Sequence, residues 1–276
     1  MNKQAMWAIA KKDMSGIRSN VQVWMPMLVV PLIMGVILPG VTIGLLSFLG
    51  LKSSDMQELL TWMQRLPLDV IAPAANSLAT LEQKVAYMVA NYMFAPFFVL
   101  IPLMTASVIS ADSFAGEKER GTLETLLFAP VDLMSLFLGK LLASFIPTVL
   151  LTLGTFGLCA VTVNGLGWKL FHGLFFPTWN WLVLMVLVIP LIAIAAMLFN
   201  VFISAKVATF QAAYQLGGLT IIPFLLLLGG QISGILLLGT TVLLILAAVL
   251  AIIDVLLLQL LIKRLGRSAL FESQVR

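Results

Sequence analysis

The sequence predicts an all-α integral membrane protein with six transmembrane helices, an N-terminal interfacial elbow helix and one short helix standing outside the bilayer between spans two and three. Three observations carry this. Mean hydropathy is +1.09, and only 10% of the 276 residues are charged, against roughly a quarter in soluble domains. Apolar runs recur at the ~20-residue length that crosses a ~30 Å hydrocarbon core as a helix. Those runs are continuous rather than alternating, which favours helices over barrel strands, because lipid demands a backbone that satisfies its own hydrogen bonds.

In chain order, Met6, Ile9, Ala10, Met14 and Ile17 recur at helical spacing while Lys11, Lys12 and Arg18 fall elsewhere, the pattern of a helix lying in the interface plane. The spans follow near residues 21–48, 87–110, 133–162, 179–203, 209–229 and 233–262. All belong to a single domain, 1–276. Spans one and two contain Pro26, Pro31, Pro39, Pro96 and Pro102, each of which removes a backbone donor and bends its helix. The connection 50–85 has room for one or two short helices and no independent core. Spans five and six are separated by the turn Gly229 to Gly234, "GGQISG". The first span is too long for a signal-peptide core and is expected to stay attached.

Basic residues set the orientation. Lys3, Lys11, Lys12, Arg18, Lys118, Arg120, Lys140, Lys206, Lys263, Arg264, Arg267 and Arg276 fall on one side of the predicted topology, and only Lys52, Arg65, Lys84 and Lys169 on the other. Both termini are therefore expected in the cytoplasm, in a cell inner or plasma membrane. The net charge of +4 follows from this topology and faces anionic lipid; it is no footprint of nucleic acid.

The connection after span two, "ADSFAGEKERGTLETLLFAP" (residues 111–130), breaks the apolar pattern. Glu117, Lys118, Glu119 and Arg120 would extend span two into water, and Gly121 allows a sharp redirection. Thr122 is expected to cap a two-turn helix with Glu124 in its first turn, Leu123, Leu126 and Leu127 on one face, and Pro130 as its stop. An apolar face rimmed by charge outside the bilayer suits a partner's groove.

This segment resembles that of the type 2 permease family of ATP-binding-cassette (ABC) exporters, particularly its sodium-efflux-like branch. The E-x-x-x-G-T-L-E-x-L-L core at Glu117, Gly121, Thr122, Leu123, Glu124, Leu126 and Leu127 carries the likeness. The lead-in "AIAKKDMSGIRSN" and the connection "SAKVATFQAAYQLGG" after span four extend it. The resemblance implies a permease subunit that moves substrate out of the cell, driven by a separate ATPase. Its coupling helix would meet that ATPase through Gly121, Thr122, Leu123, Glu124, Leu126 and Leu127, buttressed by Glu117 and Arg120. A second permease copy or a related permease would complete a homo- or heterodimer. Independently of the resemblance, the chain has no G-x-x-x-x-G-K-[ST] phosphate loop, since Gly139-Lys140 is followed by Leu141. No cofactor is expected on this chain, with ATP and Mg held by the partner subunit.

Asp254 is the one acid deep in a span, nine residues before Lys263, and a charge there is costly enough to demand a partner, water or a proton. It is a candidate for the substrate pathway; an acid that ties span six to a neighbour is the alternative. Asn200 is a second pathway candidate, near the inner end of span four with Ser204, Lys206 and Gln211 beyond it. Trp168, Trp179 and Trp181 read as an aromatic belt at the outer ends of spans three and four. A stand-alone ion-coupled carrier would rest on Asp254 alone and leave the charged segment unexplained. An intramembrane enzyme is disfavoured: His172 is the sole histidine, no H-E-x-x-H occurs, Cys159 has no nearby base, and Glu117 and Glu119 are expected in water.

Overall fold

The computed structural model describes residues 3–19, 21–49, 78–128, 132–233 and 236–264. The described residues form eight helices and no strand, and six of the helices are long and apolar enough to cross a membrane. The elbow candidate is α1 (Lys3–Ser19). Span one is α2 (Met27–Phe48), part of a helix that begins at Val21, and span two is α3 (Leu81–Glu119). A short helix, α4 (Leu123–Phe128), precedes span three, α5 (Leu133–Phe171). Spans four, five and six are α6 (Trp179–Ser204), α7 (Phe210–Gln231) and α8 (Thr240–Arg264). Most of the connection 50–85 lies outside the described residues.

Side chains start these helices where the sequence offers a cap. Thr80 and Gln83 exchange hydrogen bonds in a capping box at the head of α3. Asp132 accepts from the Ser135 amide and hydroxyl at the head of α5, and Thr209 accepts from the Ala212 amide before α7. Each satisfies a donor that the first helical turn leaves orphaned.

Two of the expected proline bends, at Pro39 and Pro96, take a specific form, which Pro190 shares. Ile33–Ile37, Val89–Met93 and Leu184–Val188 are single widened turns of π-helix, and Pro39, Pro96 and Pro190 follow them. A proline ring collides with the carbonyl four residues back, here that of Gly35, Tyr92 or Val186, each inside the widened turn. The wider turn moves that carbonyl aside without breaking the helix.

Span two forms the centre. It packs against spans one, three, four and five, and nearly every residue from Ala95 to Ala111 is buried. At one end of the molecule Trp181 is enclosed by Phe98, Phe156 and Phe176, with ring centroids 5.0, 5.4 and 4.9 Å away. Trp181 is 1% exposed and is therefore a core residue, contrary to the aromatic-belt expectation, while Trp168 and Trp179 do face outward. Asn164 and Asn91 bind the backbone of the connection 172–178 at this same end. The turn between spans five and six falls later than predicted: Gly229 and Gly230 are still helical, and Leu236 returns to donate its amide to the Gly230 carbonyl.

Candidate functional site

The end opposite Trp181 gathers the charge. At 1.5 Å per residue, α3 and α5 are each about 57 Å long, far beyond a ~30 Å core, so both must project from a bilayer. The charged end of α3 is reorganised by a fourth widened turn, Asp112–Gly116. Ser204, at the end of α6, accepts hydrogen bonds from the Phe114 and Ala115 amides at 3.0 and 2.8 Å and donates its own to the Ala111 carbonyl at 2.8 Å. One hydroxyl thus fixes the direction in which span two leaves the apolar region.

Every charge of the run 117–120 is then committed to a partner within the chain. Glu117, only 3% exposed, accepts from the Lys12 ammonium of α1 at 2.8 Å. Lys140 of α5, equally enclosed, lies 3.9 Å from the same carboxylate and 3.4 Å from Asp13 of α1, and sits 5.2 Å from the centre of the Phe114 ring. Lys118 donates to the Ala205 and Val207 carbonyls at 2.8 and 3.2 Å, and Glu119 accepts from the Phe210 amide at 2.9 Å. Arg120 grips Asp112 through both carboxylate oxygens, and these hydrogen bonds hold its pKa above the ordinary value. The segment is a hub joining α1, α5 and the α6–α7 connection, with Glu117 out of water where the sequence placed it in water.

Beyond the hub the chain turns. Gly121 has φ +67°, a left-handed conformation that costs glycine nothing. Thr122, expected as a cap, gives its hydroxyl to the Glu117 carboxylate and so ties the corner to the ion pairs. In α4, Leu123 is fully buried among Ile9, Phe114, Leu136, Phe137, Leu198 and Leu261 of this chain. It anchors the helix, while Thr125 and Phe128 are exposed, Phe128 at 76%. Glu124, Leu126 and Leu127 lie on α4; their side chains, and Pro130, lie outside the described residues.

On its other side the hub is closed by α1, whose Met6, Ile9, Ala10, Met14 and Ile17 turn inward. Gly139 permits the approach: a Cβ there would stand 2.9 Å from the Met6 carbonyl oxygen and 3.0 Å from Ile9. The Gly139-Lys140 pair that fails as a phosphate loop is thus the seat of α1.

Asn200 is fully buried and donates to Ser107 of α3 at 3.0 Å, with Ser107 3.2 Å from Thr220 of α7. Its amide abuts Gly217, where a Cβ would fall 1.9 Å from Oδ1. Asn200 and Ser204 therefore tie spans together. Asp254 is a different case. It lies on a stripe of α8, Leu243, Ala247, Leu250, Asp254, Leu257 and Leu261, at least half-buried throughout and spaced alternately four and three residues apart, on the helix that packs against α6. Asp254 itself is 8% exposed. Beside this stripe, a groove of about 370 Å³ runs between spans two, four, five and six. No metal-ligating cluster of three or more His, Cys, Asp or Glu side chains occurs among the described residues.

The profile of one family, described as ABC-2 family transporter protein, matches residues 7–244, from α1 into span six. The chain belongs to the ABC-2 transporter family. It is accordingly a multi-pass membrane permease of ABC transporters, a transport subunit and not an enzyme. ABC-2 permeases normally pair with an ATPase subunit. No curated protein matches the chain.

Proposed function

We propose that this ABC-2 permease is the membrane-spanning subunit of an exporter whose ATP is bound and hydrolysed, with Mg, by a separate nucleotide-binding polypeptide. Helix α4 is the element that enters a groove of that ATPase. The observation that carries the reading is the construction of the hub: α4 is held by a buried leucine on one side, exposes Thr125 and Phe128 on the other, and is braced against three other parts of the chain by Glu117, Lys118 and Glu119. A push on a helix so braced is transmitted to spans two, three and four together rather than absorbed by a loop.

In this reading the hub lies in the cytoplasm with both termini, in an inner or plasma membrane, and α1 rests at the interface. A second copy of the chain or a related permease completes the translocation path, membrane lipid surrounds it, and nucleic acid has no part. The segment 111–130 resembles that of the sodium-efflux-like branch, a likeness of the coupling element that leaves the cargo to be read from the spans.

The test is copurification. The permease is expected to bring down an ATPase from its native membrane, and Phe128→Asp, which places a charge on the exposed side of α4, is expected to abolish that recovery while the permease still folds. An undiminished complex in Phe128→Asp would remove α4 from the interface.

A further inference from the structure

A second groove, of about 520 Å³, opens at the hub end of the molecule between three elements. Met14 and Ile17 of α1 form one wall, Trp24 and Leu28 of the span-one helix a second, and Pro147 and Leu151 of α5 the third. No residue in its lining is charged. Helix α1 is seated on α5 at Gly139 and Lys140, whereas span one closes on α5 further along, where Gly35 meets Thr155 and Gly40 meets Thr162. The groove lies between those two seats. Pro147 and Leu151 follow Lys140 on the same helix by about 10 and 16 Å of rise, so the groove runs from the charged hub inward through the depth of one leaflet. Trp24 in its wall and Trp7 on α1 are both exposed, and tryptophan settles at the level of the lipid headgroups. The mouth of the groove therefore lies among headgroups and its floor among acyl chains.

Charge on the rim selects the occupant. Lys11 precedes Met14 by three residues and Arg18 follows it by four, and residues so spaced are neighbours on a helix surface. Lys11 is exposed and makes no ion pair among the described residues, whereas Lys12 and Lys140 are taken up by the hub. No acid opposes an anion here: the one acid of α1, Asp13, is held by Lys140, and neither Val21–Phe48 nor the stretch of α5 from Lys140 to Phe171 contains another. A neutral lipophile would use the groove and ignore the rim. A small free anion would use the rim and ignore the groove. A phospholipid with net negative charge answers both, since basic residues at the membrane surface attract it and its acyl chain replaces the water or loose lipid that would otherwise lie along seven apolar side chains.

We propose that the groove between α1, span one and span three is the binding site of one anionic phospholipid, its headgroup beside Lys11 and Arg18 and an acyl chain along Met14, Leu28 and Leu151. A lipid in this place fills the space between the seat of α1 and the packing of span one, so that lipid charge bears on how firmly α1 closes the hub. The site is separate from α4 and needs no ATPase.

The experiment places the full-length chain in phosphatidylcholine nanodiscs and titrates in phosphatidylglycerol spin-labelled on its acyl chain, with identically labelled phosphatidylcholine as the comparison and empty nanodiscs as the blank. A motionally restricted component that saturates at about one phosphatidylglycerol per chain is expected, with phosphatidylcholine about tenfold weaker or more. The double variant Lys11→Gln, Arg18→Gln, which changes surface charge alone, should bring phosphatidylglycerol down to the level of phosphatidylcholine. Leu28→Trp, which fills the groove from an exposed position and keeps both charges, should lower the restricted component for either lipid. Glycerol phosphate, the headgroup without its chains, should not displace the probe. Absence of a saturable component, equal affinity for the two lipids, or a preference for phosphatidylglycerol that survives the double variant would each overturn the proposal. So would undiminished binding in Leu28→Trp, which would leave only a diffuse attraction to the basic surface, or displacement by glycerol phosphate, which would leave an anion site without the groove. A restricted component that disappears as two Leu28→Cys chains crosslink to each other would give the groove to a second copy of the chain instead. Copurification with an ATPase is expected to be unaffected by Leu28→Trp, so failure of lipid binding and failure of the transport reading are read separately.

Discussion

A carboxylate at the end of a long apolar helix must find water or cations, and Glu117 finds Lys12 and Lys140. Breaking a buried pair leaves the partner uncompensated, at a cost on the order of 3 kcal/mol. Glu117→Gln is therefore expected to lower the melting temperature in detergent and to speed amide exchange in α1, while Asp112→Asn, which touches only the half-exposed pair with Arg120, should change little. Gly139→Val tests the other side of the same contact: its side chain would press on the Met6 carbonyl and Ile9, and faster exchange confined to α1 is the expected result. The value of Glu117 was only half legible. Its place in the G-T-L-E core is visible in sequence, but Lys12 lies 105 residues away and no local pattern joins them. Trp181 carries the opposite lesson. Two residues along a helix turn about 200°, so Trp179 and Trp181 cannot both face lipid, and that signal was present in the spacing. Trp181→Ala should cost about 3–5 kcal/mol of stability, seen as a large fall in melting temperature, whereas Trp179→Ala should not.

At the scale of elements, the prolines announced bends but not their mechanism. A proline two or three residues beyond a widened turn becomes intelligible once the carbonyl it would strike is located inside that turn. The turn Asp112–Gly116 has no such proline and depends on Ser204 from another span, which is why nothing in residues 111–120 foretold it. Ser204→Ala removes the acceptor of two buried amides, a loss of about 1–3 kcal/mol for each group left unpaired. Amide exchange at Phe114 and Ala115 should rise, and the direction of α4 should loosen with it. Helix α4 itself was legible in position and extent. That Leu123 serves as its inward anchor was not, because its neighbours Ile9, Leu198 and Leu261 come from three distant parts of the chain.

For the whole molecule, hydropathy located all six crossings, since the hydrocarbon thickness imposes one length on every span. It undercounted spans two and three, whose polar extensions are invisible to an apolar window. The basic residues drew the same division that the structure displays: Lys12, Lys118, Arg120, Lys140 and Lys206 lie at the hub end, and Lys84 and Lys169 lie towards the opposite ends of α3 and α5. What composition cannot reveal is which partner occupies α4. The most direct measurement is crosslinking from Thr125→Cys, an exposed position on α4, in a chain whose buried Cys159 has been replaced by alanine. In native membranes a short bifunctional maleimide should join this residue to the ATP-hydrolysing subunit, and the reagent should reach it only from the cytoplasmic face. Labelling from the outer face, or a residue that lipid shields from both faces, would contradict the account.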